Sequence, residues 1–599
     1  MCGIAAIYSY RSEGPLVSAD ELVKIRQAMT LRGPDGAGLW VSEERNIGLA
    51  HRRLAIVDLT ENGAQPMTTK DGRLSVTFNG EIYNYRELRA RLTEKGHAFF
   101  SDSDTEVLLH AYREYGQDMV DHLRGMFAFA IWDQEIRGLF LGRDHFGIKP
   151  LYYHDDGKSI RVASQVKALL AGGAIQPDPE PAGLVGFYLW GCVPEPYTLY
   201  HKLFALPAGH TLWVDQDGPR APKRYFDLAE TLGTAASQQA RVPVEEALRN
   251  AVKDSVKHHL IADVPVGVFL SAGLDSATLT ALSAEEVTHI QAITLGFTEY
   301  KNTLDDETPL AGKIAAHYAC RHQIAHIDQR DFAEDLPAIL QAMDQPSIDG
   351  INTYFVARAA ARAGLKVALS GVGGDELLGG YPSFRHVPQL VRRVRPIARP
   401  PGIGKVFRWV SAPILKHTTS PKFASLFEYG GSYGGAYLLR RGLFMPWELP
   451  QFLGSKLVRE GWAKLRPIAR MDEWVSSVEV PHAKVTALET AFYMRNMLLR
   501  DSDWAGMAHS LEIRTPLVDI ALFRTMAPYL CGTGAPPSKR QLAQCARIAL
   551  PDAVLNRPKT GFCIPVAQWL NTQGTSKQQR GLRGWATRVM DDFTLHGSA

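Results

Sequence analysis

Two large units of different fold class are predicted by this sequence of 599 residues, because its local pattern changes before the middle. Up to about residue 215, short β-rich segments alternate with turns and helical stretches, which indicates an α+β sandwich. Beyond about residue 240, strands and helices follow one another, which is typical of an α/β parallel sheet with crossover helices. Domains usually hold about 100–200 residues, so one core is excluded.

The first unit is expected over residues 2–215. Its predicted strands and helices lie at residues 76–78, 85–95, 104–115, 127–132 and 138–141. A Pro- and Gly-marked stretch followed by polar residues predicts a linker at residues 216–240.

The second unit is expected over residues 241–575. Its predicted helices and strands lie at residues 244–260, 264–270, 276–286, 290–297, 353–363 and 366–369. Residues 387–482 are rich in Arg, Pro and aromatic residues without clear strands, which indicates a helical insertion. The composition of residues 576–599 predicts a polar tail.

Composition places the chain among globular proteins. Hydrophobic residues make up 45% and charged residues 22%, and the formal net charge is only +3. This charge gives no reason to expect a nucleic acid or a membrane as partner, and the basic run Arg392, Arg393 and Arg395 is interpreted as a solvated helix face. No segment predicts a signal peptide or a membrane span, so a cytoplasmic location is expected.

The six cysteines are spread along the chain without a Cys-x-x-Cys pair, which disfavours a metal cluster and a disulfide framework. Cys2 differs from the others, because removal of the initiator methionine would join a thiol and a free α-amine in one residue. The amine titrates near ~7.7–8.0 and the thiol near ~8.5, so the amine can accept the thiol proton at neutral pH. Alternatively, Cys2 is a small apolar residue that opens a buried strand.

Several loops downstream of Cys2 carry polar residues at turns. They include residues 31–36, the guanidinium of Arg53 beside a strand, an Asn-Gly turn at residues 79–80 and a helix start at residues 103–106. Each alone indicates only a turn or a helix cap. Together with Cys2 and residues 124–129 and 142–153, they resemble the class II glutamine amidotransferases, which implies an N-terminal-nucleophile (Ntn) hydrolase sandwich of αββα order.

The resemblance implies a role for each residue of this first site. Cys2 would attack the side-chain amide of glutamine, while the Asn79 side chain and the Gly80 backbone N–H stabilise the oxyanion. Arg53 would hold the α-carboxylate, and Glu81 and Asp104 the α-ammonium. The glutamine-binding residues that it implies are Arg53, Ile56, Val57, Asn79, Gly80, Glu81 and Asp104.

A second motif, residues 271–276 (SAGLDS), lies between a predicted strand and a predicted helix. Small residues let backbone N–H groups approach phosphate, and Asp275 can ligate Mg²⁺. The Lys-Ser/Thr pair of the Walker loop is missing, which disfavours kinase-type transfer of the γ-phosphate. The motif resembles the pyrophosphate loop (PP-loop) of enzymes that split ATP into AMP and pyrophosphate, with Ala272 in place of a glycine.

Residues 369–381 again place glycines and a carboxylate after a strand. With residues 507–519 and 557–562, they extend the resemblance to the asparagine synthetase family over about residues 2–570. The resemblance implies ATP and Mg²⁺ as cofactors. The ATP-binding residues that it implies are Ser271, Gly273, Leu274, Asp275, Ser276, Leu295, Ser370 and Gly371.

Asp275 and Asp375 would be the metal ligands of this second site. Lys559 would stabilise charge on the pyrophosphate and on an adenylated intermediate, unless it is only an exposed loop lysine. The expected reaction uses glutamine-derived ammonia to attack an acyl-adenylate, which turns aspartate into asparagine. Glutamine, ATP and a carboxylate acceptor are thus the expected partners, and a homodimer is expected from the family.

The acceptor stays open, because Val372 occupies a position where bacterial asparagine synthetases commonly have glutamate. Valine cannot exchange a proton, so the acceptor is either aspartate or another carboxylate, such as a sugar uronate of surface polysaccharide or a peptide-like metabolite. A pure glutaminase would not need Asp375 or Lys559. A catalytically inactive protein would be expected to have lost some of the site residues, and a β-lactam-forming relative would not need Cys2.

Overall fold

A computed structural model of the protein describes residues 2–238, 242–397, 402–418, 420–557, 565, 569 and 581–596. Over these residues the chain forms two antiparallel sheets that pack face to face, followed by one parallel sheet with helices on both faces. The predicted fold class, an α+β sandwich followed by an α/β parallel-sheet unit, is confirmed.

The sandwich is built from short strands and the helices that cover them. Its strands are Gly3–Ser9 (β1), Gly36–Val41 (β2), Ile47–Arg53 (β3), Met67–Thr68 (β4), Leu74–Ile82 (β5), Gly125–Asp133 (β6), Gly138–Arg143 (β7), Tyr152–Asp155 (β8), Ser159–Ala163 (β9), Leu203–Ala205 (β10), His210–Asp215 (β11), Gly218–Pro219 (β12) and Lys223–Arg224 (β13). The helices that cover them are Ala19–Ala28 (α1), Tyr85–Glu94 (α2), Asp104–Tyr115 (α3) and Val166–Ala171 (α4). The next helix, Pro181–Trp190 (α5), packs in the core of the second unit. The strand orders are β10-β8-β9-β1-β3-β2 and β12-β11-β7-β6-β5-β4, and β13 also pairs with β11.

β1 lies inside the sandwich, and both of its faces are buried. Ile4 and Ala6 pack against residues of the opposite sheet, including Ala128 on β6, whereas Ala5 and Ile7 pack against α1 and α4. Because successive side chains of a strand point to opposite faces, a strand covered on both sides is apolar throughout. α2 and α3 cover the outer face of the other sheet, which completes the αββα order.

The predicted linker, residues 216–240, does not behave as a separate connection. β12 and β13 pair with β11 of the sandwich. The helix Leu228–Ala235 (α6) buries Leu228 and Leu232 in the same core as Phe523 of the second unit. This stretch of low hydrophobicity therefore contains two strands of the sandwich and a helix that packs against the second unit.

The second unit holds a parallel sheet. Its strands are Val266–Phe269 (β14), Gln291–Phe297 (β15), Arg321–Ile327 (β16), Val367–Leu369 (β17) and Glu512–Arg514 (β18). The helices up to β17 are Val244–His259 (α7), Leu274–Glu286 (α8), Thr308–His317 (α9), Gln329–Ala342 (α10) and Ile351–Arg362 (α11). The strand order is β16-β15-β14-β17-β18, and every neighbouring pair is parallel.

The strand order creates a crevice between β14 and β17. These strands are neighbours, yet β14 is followed by β15 on one side of the pair and β17 by β18 on the other. Ligands of open α/β sheets bind outside the carboxyl ends of the strands at such a reversal of strand order. Residues 271–276 and 370–375 follow the carboxyl ends of β14 and β17, so both predicted ATP segments lie at this crevice.

The described residues between β17 and β18 are mostly helical, including those within residues 387–482. The helices of this stretch are Gly374–Leu377 (α12), Ser383–Val394 (α13), Ile403–Thr418 (α14), Leu426–Tyr429 (α15), Tyr433–Arg441 (α16), Pro450–Leu453 (α17), Ser455–Leu465 (α18), Pro467–Trp474 (α19), Pro481–Leu488 (α20) and Arg500–Met507 (α21), with a π-helix at Glu489–Leu499. The helices after β18 are Ile520–Cys531 (α22), Lys539–Ala543 (α23), Asp552–Leu555 (α24) and Leu582–His596 (α25). Among the described residues, no helix combines the length and apolar character needed to cross a membrane.

α25 departs from the polar tail predicted for residues 576–599. Trp585, Val589 and Phe593 are buried in the core that also contains Phe332 and Trp569. They are spaced by four residues, so they form one apolar stripe on an otherwise polar helix. The average composition of the segment concealed this periodicity.

Candidate active sites

Cys2 immediately precedes β1 and is buried. Its Sγ lies 4.0 Å from the carbonyl oxygen of Leu54, and its backbone N–H donates to Oδ1 of Asn79 at 2.9 Å. Burial raises the pKa of the Cys2 thiol, so a nearby base is needed to form the thiolate. If Met1 were removed, the nitrogen that contacts Asn79 would be an α-amine in the same residue as the thiol.

Asn79 and Gly80 are consecutive residues of β5 opposite the nucleophile. Asn79 is fully buried, and its Nδ2 has no hydrogen-bond partner among the described residues. Leaving a buried donor unpaired costs about 1–3 kcal/mol, so this amide is suited to a bound oxyanion. Gly80 has a φ of 153°, and a Cβ there would lie 2.0 Å from the carbonyl oxygen of Met126, so only glycine fits.

Arg53 is the last residue of β3 and its guanidinium is held by the following loop. It donates to the carbonyl oxygen of Thr60 at 2.8 Å and also to that of Asp58. A Cβ at Gly63 would lie 2.3 Å from its Nη2, so the loop can close on Arg53 only with a glycine there. Two carbonyl contacts fix the plane of the guanidinium, which is the geometry that bidentate recognition of a carboxylate requires.

Ile56 and Val57 lie in the loop between Arg53 and Asp58 and are buried. The carbonyl oxygen of Ile56 accepts the backbone N–H of Asp263 at 2.9 Å, and the N–H of Asp58 donates to the Asp263 carboxylate at 2.8 Å. Asp263 precedes the first strand of the parallel sheet. The loop that follows Arg53 is therefore anchored to the second unit.

Glu81 and Asp104 are the two buried carboxyl groups predicted for the α-ammonium. Asp104 begins α3 and accepts the backbone N–H of Ile82 at 2.9 Å. Burial raises the pKa of Asp104 to about 7 and that of Glu81 well above its ordinary range. A cationic ligand between them would favour the charged form of both carboxyl groups.

A buried charge cluster from the parallel sheet lies behind Glu81. The Arg514 guanidinium donates to Oε1 of Glu512 at 2.6 Å, and its Nη2 lies 3.4 Å from Oε1 of Glu81. Although burial opposes ionisation, positive charges including Arg514 lower the pKa of Glu512 to about 2. Sequence reasoning quoted this segment only as part of a motif, because no local pattern connects β18 with β5.

Arg32 makes a second direct link between the Cys2 site and the second unit. Its Nε donates to the Cys2 carbonyl oxygen at 3.0 Å, and its Nη1 and Nη2 donate to the Asp503 carboxylate at 2.6 and 2.9 Å. Both side chains are almost fully buried. Removing one partner of such a pair costs about 3–5 kcal/mol, so the nucleophile and α21 are held in fixed relation. The role of Arg32 was missed from sequence.

The second site is a cavity of about 520 Å³ at the crevice between β14 and β17. The ATP-binding residues predicted from sequence all line it, namely Ser271, Gly273, Leu274, Asp275, Ser276, Leu295, Ser370 and Gly371. The predicted metal ligand Asp375 lines it as well. The structure therefore brings these residues together. Lys559 lies outside the described residues.

The first ATP loop leads directly into α8. Gly273 precedes this helix without a side-chain cap, so the first N–H groups of α8 have no capping oxygen from that residue. Helix N-termini of this kind bind phosphate. Ala272 is not among the non-glycine residues with positive φ, so its methyl group does not strain the backbone where related loops have glycine.

Asp275 and Asp375 face the same point from the first turns of α8 and α12, and Lys539 lies between them. The Lys539 ammonium is 2.5 Å from Oδ2 of Asp275 and contacts Oδ1 of Asp375. A Cβ at Gly374 would lie 2.7 Å from Cγ of Asp275, so glycine leaves room for this carboxylate. Sequence reasoning missed Lys539. The capping box Ser538–Gln541 marks the start of α23 but says nothing about its distant partners.

Val372 lies on the cavity wall, and Glu376, four residues further along the chain, lines the same cavity. A smaller cavity of about 20 Å³ adjoins it. It is bounded by Gly373 and Glu376 on one side and by Phe146 of the sandwich on the other. A space of this volume holds one molecule the size of water or ammonia.

Each half of the chain matches a known protein family. Residues 1–226 match a glutamine amidotransferase domain, and residues 247–586 match the asparagine synthase family. The chain is 32% identical to asparagine synthetase [glutamine-hydrolyzing] 1 of Bacillus subtilis (strain 168), over 96% of this chain and 88% of that protein.

Two further relatives carry similar names. A putative asparagine synthetase [glutamine-hydrolyzing] of Mycobacterium bovis is 32% identical, over 95% of this chain and 88% of that protein. Asparagine synthetase B [glutamine-hydrolyzing] of Escherichia coli (strain K12) is 32% identical, over 65% of this chain and 66% of that protein. With a PP-loop cavity and a buried N-terminal cysteine site in one chain, the protein belongs to the glutamine-hydrolysing asparagine synthetase family of amidotransferases.

Proposed function

We propose that this protein converts aspartate to asparagine in the cytoplasm, with glutamine as nitrogen donor and with ATP cleaved to AMP and pyrophosphate. The observation that carries the proposal is that one chain contains two complementary sites on a shared buried interface. The Cys2 site is suited to release ammonia from an amide. The crevice between β14 and β17 is suited to activate a carboxylate.

In the first half-reaction, the Cys2 thiolate attacks the glutamine amide carbon and displaces ammonia, and water then hydrolyses the thioester to glutamate. The Asn79 Nδ2 and the Gly80 N–H stabilise the oxyanion that forms in both steps. Arg53 binds the α-carboxylate. The α-ammonium lies between Glu81 and Asp104, where it balances two carboxylates that are otherwise costly to bury.

The second site fits ATP with Mg²⁺. Asp275 and Asp375, at the starts of α8 and α12, already enclose one positive charge, the Lys539 ammonium. Mg²⁺ is usually bound by one or two carboxylates together with substrate phosphates, so this donor set suits it. When bound, the ion would neutralise phosphate charge as the pyrophosphate leaves. Lys539 is then free to contact phosphate oxygens, and Lys559 is proposed to act on the same charge.

Ammonia is proposed to travel inside the protein. The cavity of about 20 Å³ between Phe146 and Glu376 lies along the boundary between the units and shares Gly373 and Glu376 with the ATP cavity. Its lining is mostly apolar, which disfavours protonation of ammonia to ammonium. This space supports a route from the sandwich to the acceptor.

The charge of the cavity favours an amino acid as acceptor. Besides the two proposed metal ligands, Asp349 and Asp501 line the wall. Burial and the Asp349 carboxyl raise the pKa of Asp501 to about 8. A substrate ammonium near this pair would relieve the repulsion between the carboxyls, whereas a uronate chain would bring only more negative charge. Aspartate therefore suits this wall better than a polysaccharide uronate does.

The deciding experiment supplies ATP, Mg²⁺ and glutamine with one candidate carboxylate at a time and measures AMP. We expect AMP and asparagine to form with aspartate. AMP that forms only with a uronate or a peptide acid would contradict the proposal. The Asp375→Asn variant is the control, because it should lose AMP release with every acceptor while glutamine hydrolysis continues.

A further inference from the structure

The segment between Leu377 and Phe427 is strongly positively charged. Among these residues there are nine Lys or Arg residues and no Asp or Glu, although the whole chain has a formal net charge of only +3. The rest of the chain is therefore net negative by six charges. Because positive charge is concentrated in one segment, a partner with a negative surface is favoured there.

α14 lies inside this segment and exposes apolar side chains. Val406, Trp409 and Val410 are 64%, 81% and 59% exposed, and Ile403 is also exposed. Ile403, Val406 and Val410 are spaced by three and four residues, so they form one stripe along the helix with Trp409 beside it. Single exposed apolar residues are ordinary, but a continuous stripe indicates an interaction surface.

The opposite face of α14 is the one that packs on the protein. A Cβ at Gly404 would lie 2.4 Å from the Cα of Glu428, so the helix approaches α15 closely. The ring of Phe407 packs edge-on against Phe427 at 4.7 Å, and Arg408 pairs with Glu428 at 2.7 Å. The helix is thus fixed with its apolar stripe directed outward.

Exposed basic side chains lie close to this stripe along the chain. Arg392, Arg393 and Arg395 are exposed at the end of α13, and Lys405 is exposed on α14 itself. We propose that α14 and these basic residues bind the surface of a bilayer that contains anionic lipids. An exposed tryptophan with aliphatic neighbours enters the headgroup region, and Lys and Arg side chains attract the anionic headgroups.

Other occupants fit this surface less well. A nucleic acid would use the positive charge but would gain little from Ile403, Val406 and Val410, because its phosphates are bound by polar groups. A second copy related by twofold symmetry would bring the same basic surface opposite itself, which is repulsive. The small net charge of the whole chain predicts no membrane partner, because that sum averages the positive charge of this segment with the negative charge of the rest.

Vesicle flotation of the full chain tests this proposal. The probes are vesicles of phosphatidylcholine alone and vesicles of phosphatidylcholine with phosphatidylglycerol at about 7:3. We expect at least tenfold stronger binding to the anionic vesicles, and loss of that preference at high salt. Replacing Val406, Trp409 and Val410 together by Ser should reduce binding at least tenfold. Replacing Arg392, Arg393 and Arg395 by Gln should reduce it about fivefold for each charge removed.

Matched variants control for general surface effects. Leu304→Ser removes an apolar side chain that is 94% exposed elsewhere, and Gln at Arg220, Arg330 and Arg466 removes three exposed charges. Both should bind vesicles like the wild type, and every variant should keep its AMP-forming activity. Absence of wild-type binding, or equal binding by the triple Ser variant, would overturn the proposal. Light scattering is the last check. If the wild type were a dimer and the triple Ser variant a monomer, the stripe would contact a second copy, and the proposal would be overturned.

Discussion

The Cys2 site and the ATP cavity are organised in opposite ways. In the Cys2 site, the key groups lie on strands of the two facing sheets, with Asn79 fully buried and Gly80 pressed against β6. The ATP cavity has a volume of about 520 Å³, and its carboxylates come from the starts of two helices that a distant lysine holds together. Tight packing prepares the first site for one small ligand. In the second site, electrostatic attraction holds the groups that a larger, charged ligand must displace.

The largest expected effect is the complete loss of one activity while the other is kept. Cys2→Ala should abolish glutamine hydrolysis, because no other thiol of the described residues lies beside Asn79, and it should leave synthesis from free ammonia intact. Glutamate release and AMP release, measured in the same preparation, check this. Cys320→Ala is the matched control and should hydrolyse glutamine normally. If the Cys2→Ala variant still hydrolysed glutamine, the nucleophile would be misassigned.

Asn79→Ala tests whether the first site depends on preorganised donors. Loss of one oxyanion donor costs about 10²–10³ in kcat, so glutaminase activity should fall by that factor with little change in KM for glutamine. Asn62→Ala, at an exposed loop position of the same unit, should have no effect. A drop below tenfold would mean that the Gly80 backbone N–H provides most of the stabilisation.

Lys539→Gln tests whether electrostatic attraction organises the second site. Removing this charge should reduce AMP release about 10²-fold, because the phosphate loops and their carboxylates lose their shared cation. Glutamine hydrolysis should stay within about twofold of wild type. Lys253→Gln removes a comparable lysine from an ion pair with Glu285 outside the cavity, and it should leave AMP release nearly unchanged. Equal rates of AMP release by the two variants would contradict the proposed role of Lys539.

The smallest expected effect concerns pH and distinguishes the buried carboxyls from the open cavity. The pKa of Asp104 is raised to about 7, so below that pH its carboxyl is neutral and cannot pair with the α-ammonium. KM for glutamine should therefore rise about tenfold for each unit of pH below 7 and level off above it. KM for ATP, measured over the same range, should show no matching change. A flat KM for glutamine down to pH 5 would exclude Asp104 from the clamp.

Errors in the sequence-based prediction have a common physical origin. The expectation for residues 216–240 used average composition, yet α6 places only a few apolar residues, such as Leu232, at the contact. The same holds for α25, where Trp585 and Phe593 occupy one stripe of a polar segment. Composition averages over both faces of a helix, whereas packing depends on a single face.

The sequence by itself determined the groups whose chemistry is local. Cys2, the Asn79–Gly80 pair and the loop from Ser271 to Ser276 were all predicted, because strand, turn and helix-start signals lie within a few residues of each one. The fold class followed from the same short-range periodicity.

Only the tertiary structure decided which distant charges meet. It placed Lys539 between Asp275 and Asp375, Arg514 beside Glu81, and the apolar stripe of α14 on the outside. Ion pairs and burial depend on distances in space between segments that can be hundreds of residues apart. Sequence periodicity describes one helix or strand at a time, so it carries no information about those distances.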